Sequence, residues 1–168
     1  MWHTGITGVK RTDVAPAVSM GEIAVARHEG TLRTLLGSCI GLAVYDRRLK
    51  LAALAHIVLP ESRGNTNLPG KFADTAVPEL IRRLEDLARG EPLRLSAKIA
   101  GGANMFGNAG RAMPVGEQNT GAVERLLEQR RIPIVGRAVG GTQGRHMRLD
   151  VATGVVTIDV VGAATLVI

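Results

Sequence analysis

"LLGSCIGLAVYDRRLKLAALAHIVL", residues 35–59, carries the fold and the chemistry in one stretch. Two apolar runs, 40–46 and 51–58, flank a charged turn and read as paired antiparallel strands. The only cysteine of the chain, Cys39, stands at the mouth of the first run, behind Gly37 and Ser38. If Arg47 and Arg48 form a two-residue loop, Asp46 faces Leu49 and Cys39 faces His56. Their Cβ atoms would then lie about 4.5–5.5 Å apart. A loop longer by two keeps both side chains on one sheet face, whereas a loop longer by one sends them to opposite faces.

Upstream, residues 1–18 are polar, contain Gly and Pro, and lack periodicity, so they read as a flexible arm. Residues 19–168 read as a single domain. "EIAVARHEG" (22–30) and "TLRTLLGS" (31–38) are strand runs bounded by turn residues. Downstream, a Gly/Pro/Asn loop covers 60–74, long enough to suggest a function. Val77, Leu80, Ile81, Leu84, Leu87 and Ala88 then recur at helical spacing. This predicts a helix over 75–89, with Asp74 as N-cap, Pro78 in the first turn and Gly90 as the stop. "LRLSAKIAGG" (93–102) reads as a buried strand. A second helix is predicted over 119–130, with Val123, Leu126 and Leu127 facing inward. "IPIVGRAVGG" (132–141), "RHMRLDV" (145–151) and "GVVTIDVV" (154–161) are strands, the last two joined as a hairpin through 152–154. The expected class is α+β: a β-sandwich-like core of mainly antiparallel strands with two main helices packed on it.

Composition narrows the function. No apolar run reaches the roughly 18 residues that cross a bilayer, and the first 20 residues lack the apolar core of a signal peptide. A lone cysteine forms no internal disulfide, so a reducing, cytoplasmic setting is expected, with no membrane insertion. The net charge of +6 favours an acidic partner. Aromatics are 2% of the residues and the basic residues are scattered, so no base-stacking surface and no nucleic-acid partner are expected.

Taken alone, Cys39 reads as a small buried hydrophobe and His56 as a core histidine. Facing each other, they read as a nucleophile and its base. An adjacent imidazolium would lower the thiol pKa and could later protonate a leaving amine. Backbone N–H groups at the Gly37–Ser38 turn could hold an oxyanion. The group that orients the imidazole is sought at Thr34 or Ser38. In a straight strand, residues 34 and 39 point to opposite faces, so a catalytic Thr34 requires a bend near Leu36–Gly37. One cysteine and one nearby histidine are too few for structural zinc, so no metal and no cofactor are expected. His3, His28 and His146 read as surface residues.

"LRTLLGSCIGLAVYD", "AHIVLPES", "GKFADTAVPELI", "AKIAGGANMF", "VGEQNTGAVERLL" and "AVGGTQGRHMRLDVATGVV", in this order, resemble the CheD family of chemoreceptor glutamine deamidases. The resemblance runs from about Gly21 to Val160. It implies a three-layer α/β sandwich like that of deamidating toxins and cysteine hydrolases. It also implies hydrolysis of receptor glutamine side chains to glutamate, with release of ammonia. The family's cysteine and histidine fall on Cys39 and His56. Its threonine falls on Thr34 if one position is deleted, and on Arg33 without a gap. Some members demethylate receptor methylglutamates, and some bind a CheC-type phosphatase. The alternative reading is therefore a non-enzymatic adaptor that docks on receptors and such a phosphatase.

Overall fold

The computed structural model describes residues 17–65, 67–107 and 112–168. Its strands are β1 (Ile23–Arg27), β2 (Thr31–Leu36), β3 (Ile40–Asp46), β4 (Leu51–Ile57), β5 (Ser96–Gly101), β6 (Ile134–Val139), β7 (Arg145–Asp150), β8 (Val156–Asp159) and β9 (Leu166–Val167). Helix α1 (Ala73–Ala88) lies between β4 and β5, and α2 (Val115–Gln129) between β5 and β6. One sheet has the order β1-β4-β3-β5-β6 and the other β2-β7-β8-β9. Between these strands of the described residues, every pairing is antiparallel except β5 with β6. The α+β sandwich with two helices is therefore what the chain forms. Of the predicted arm, residues 1–16 lie outside the described residues; Val18 is buried.

Two apolar cores sort the layers. Ile40, Leu42 and Val44 of β3, with Leu51, Ala53, Ala55 and Ile57 of β4, pack against Val77, Leu80 and Leu84 of α1 and Val123 and Leu127 of α2. Ala43, Ala52 and Leu54 point the other way, onto Leu36, Met147, Leu149, Val156 and Ile158 of the second sheet. β3 and β4 are thus covered on both faces, which explains why their sequences are nearly continuous apolar runs. The side toward the second sheet carries small residues because the sheets approach closely there. A Cβ on Gly41 would stand 2.5 Å from the Met147 sulfur.

Several boundaries differ from expectation. The β3–β4 loop has four residues, 47–50, because Asp46 pairs with Leu51. Asp46 is buried, and its carboxylate accepts from the Leu49 N–H at 3.0 Å and the Arg94 N–H at 2.7 Å. That cap turns the chain, with Lys50 at φ 50°, where Arg-Arg suits a two-residue turn poorly. Helix α1 starts at Ala73 with Phe72 as N-cap. Asp74 lies inside the first turn, where its carboxylate accepts from the backbone N–H and hydroxyl of Ser62 and pins the 60–72 loop. Pro78 consequently falls in the second turn. Helix α2 starts four residues earlier than expected. Gly116 weakens the helical signal there, but a Cβ at that position would meet the Gly102 carbonyl at 2.4 Å. Strand β9 was not expected from the sequence.

Candidate active site

The chain leaves the second sheet at Leu36 and enters the first at Ile40, and the residues between form the bend. Three successive carbonyls hold it. Gly37 O accepts from Ala103 N at 2.9 Å, Ser38 O from the Asn119 side-chain amide at 3.1 Å, and Cys39 O from Gly102 N at 2.9 Å. Gly101 and Gly102 make this approach possible. Both have positive φ, and a Cβ on Gly101 would lie 2.1 Å from Cys39 O. Cys39 is 9% exposed.

The register places His56 opposite Gly41. Cys39 is therefore the diagonal neighbour of His56, on the same face. That corresponds to about 7–8 Å along a regular ladder rather than a direct pair. The four-residue loop preserves the shared face, as a two-residue extension must. Both residues belong to the layer between the sheets, which brings His56 to β2.

There the Thr34 hydroxyl lies 2.8 Å from His56 Nδ1 and 2.7 Å from the Val18 carbonyl. His56 Nδ1 is also 3.4 Å from Val18 O. A carbonyl can only accept, so the hydroxyl donates to Val18 O and accepts from Nδ1–H. This fixes the tautomer and leaves Nε2 as the unprotonated nitrogen. The bend at residues 37–39 lets positions 34 and 39 serve the same layer despite their strand parity. Thr34 is 3% exposed, whereas its neighbour Leu35 is 59% exposed. Arg33, the ungapped alternative, shares the face of Leu35, opposite to that of Thr34. Ser38 meets Asn119 through its carbonyl.

Val18 escaped the sequence reading because its contribution is a backbone carbonyl, which no residue type announces. Its N–H bonds Arg33 O at 2.8 Å, so the segment runs alongside β2. Three residues on, Gly21 N donates to His56 O at 2.9 Å, and His56 N donates to Glu22 O at 3.0 Å.

The protonation balance runs against the expected imidazolium–thiolate pair. Burial pushes the Cys39 thiol above its ordinary value. Burial pulls the His56 imidazole below its own, with the Val18 carbonyl acting in the opposite sense. Both effects favour uncharged forms. Burial thus works against a resting imidazolium–thiolate ion pair.

Comparison with known proteins gives one family. Its profile, CheD chemotactic sensory transduction, matches residues 58–160. A protein from Clostridium botulinum (strain Alaska E43 / Type E3), named probable chemoreceptor glutamine deamidase CheD, is 46% identical over 86% of this chain and 92% of its own length. One of the same name from Methanococcus vannielii is 43% identical, over 84% of this chain and 92% of its own. The chemoreceptor glutamine deamidase CheD of Thermotoga maritima is 39% identical, over 86% and 91%. Matches of this extent necessarily span residues 34–56, which the family profile does not reach.

Proposed function

The chain belongs to the CheD family, and on that premise we propose that it deamidates glutamine side chains of chemoreceptor cytoplasmic domains through a Cys39 thiolate. The observation that carries this reading is the chain of contacts Val18 O, Thr34 hydroxyl, His56 Nδ1. It leaves Nε2 basic on the face that Cys39 shares.

In the proposed reaction His56 Nε2 takes the thiol proton, and the sulfur attacks the carboxamide carbon. The tetrahedral oxyanion needs donors. The carbonyls of Gly37 and Ser38 are bound by Ala103 and Asn119. In a trans peptide the N–H points opposite to the C=O. The Ser38 and Cys39 N–H groups are therefore turned away from those partners, as an oxyanion hole requires. The His56 imidazolium returns its proton to the nitrogen, and ammonia leaves a thioester. His56 then deprotonates a water that attacks the thioester. Glutamate departs and the thiol is restored, so the net change is amide plus water to acid plus ammonia.

A protein substrate suits the surface around the turn. Met105 packs against Gly37, and Phe106 beside it is 92% exposed. The net charge of +6 suits an acidic partner. The reading places the chain in the cytoplasm, where its one thiol stays reduced. The test is ammonia release from a purified chemoreceptor cytoplasmic fragment. Release that depends on Cys39 supports the proposal. A stable complex without release would make the chain an adaptor, with a CheC-type phosphatase as the next partner to assay.

A further inference from the structure

Asn119, in the second turn of α2, is fully buried. Its amide nitrogen donates to Ser38 O at 3.1 Å and to Val58 O at 2.9 Å. Its carbonyl oxygen has no partner among the described residues. The orientation of the amide is fixed, because both neighbours are carbonyls and only the nitrogen can donate to them. Half of a buried amide is thus left unsatisfied, which costs the fold free energy.

What the other half does is specific. The β3–β4 ladder ends at Ile40–Ile57. Ser38 immediately precedes Cys39, and Val58 lies two residues beyond His56. Just past the last ladder pair, one side chain holds a carbonyl on each strand. Its helix can come this close because Gly116 rests on Gly102, which has no Cβ to obstruct it. We infer that Asn119 is a positioning residue for the deamidation. It fixes the separation of Cys39 and His56 where the ladder no longer does, and so controls proton transfer from thiol to Nε2. The inference rests on the deamidase reading given above. It differs from an ordinary packing role in acting on the distance between two reacting groups, to which rates are steeply sensitive.

The test compares Asn119→Ala with Leu127→Ala. Leu127 is buried on the same helix and packs in the core beneath the helices, away from the bend. Both variants should lower Tm. Asn119→Ala should also lower kcat on a receptor fragment by about 10- to 100-fold with KM little changed, while Leu127→Ala keeps its kcat. A second readout needs no substrate. The pH dependence of Cys39 alkylation by iodoacetamide should, in Asn119→Ala, resemble that of His56→Ala, because thiol and base are uncoupled. If Asn119→Ala does not fold, Asn119→Ser, too short to reach both carbonyls, should show the same two effects. Equal kcat in the Asn119 and Leu127 variants at matched Tm, or a wild-type alkylation profile in the Asn119 variant, overturns the inference. If the wild type releases no ammonia, the deamidase reading fails, and the alkylation profile still decides whether Asn119 couples thiol and base.

Discussion

Replacing Thr34 by valine keeps its shape and removes one oxygen. That oxygen lies 2.7 Å from Val18 O and 2.8 Å from His56 Nδ1, in a side chain 3% exposed. Water cannot readily substitute at such a site. The imidazole N–H loses its acceptor, and the nearest remaining one is Val18 O at 3.4 Å. Leaving a buried donor poorly made costs about 1–3 kcal/mol. If the ring recovers by rotating toward Val18 O, Nε2 turns away from the shared face and the loss appears in the rate instead. At about 1.4 kcal/mol per factor of ten, the expected fall in kcat/KM is roughly 10- to 100-fold. Thr34→Ser keeps the oxygen and should stay close to the wild-type rate. Steady-state ammonia release on a receptor fragment, with circular dichroism melts of all three proteins, reads both quantities. A wild-type rate in Thr34→Val, or equal losses in the valine and serine variants, would refute the relay.

Four further outcomes are expected. The acid limb of kcat/KM should lie below about 6.5, the ordinary histidine value, because burial depresses His56. By the same sign, unfolded chain binds a proton that folded His56 resists, so stability at His56 falls as pH drops below that value; a melt series from pH 8 to pH 5 that shows no such loss contradicts it. Iodoacetamide should label native Cys39 slowly at pH 6 and faster only toward the alkaline side, since its thiol is pushed up; rapid labelling at pH 6 would restore the ion-pair picture. Gly101→Ala, forced to φ 102° with its Cβ against Cys39 O, should cost at least about 3 kcal/mol and remove activity. Asp46→Ala strips two backbone N–H groups of their acceptor at the far end of the hairpin, so urea melts should show a loss of about 1–3 kcal/mol with kcat unchanged.

The sequence was most legible where local physics decides. The apolar runs of β3 and β4 and the helical spacing of α1 mark elements whose burial their own residues dictate. Thr34, His56 and Cys39 could be named because their side chains carry chemistry. The loop length was misread because Asp46 caps it from the strand end, and its second backbone partner, Arg94, is 48 residues away. Val18 and Asn119 were missed for a related reason. One acts through a backbone carbonyl and the other through contacts 61 and 81 residues distant. The expected ion pair was reasoned from the neighbouring charge alone, whereas burial pushes both groups toward their uncharged forms.

The central claim is that Cys39 converts receptor glutamine to glutamate. Co-expressing the chain with a chemoreceptor and mapping the receptor peptides by mass spectrometry tests it most directly. The account predicts amide-to-acid mass gains at particular glutamines with the wild type, and none with Cys39→Ala at equal expression. The same gains with both proteins, or none with either, would contradict it.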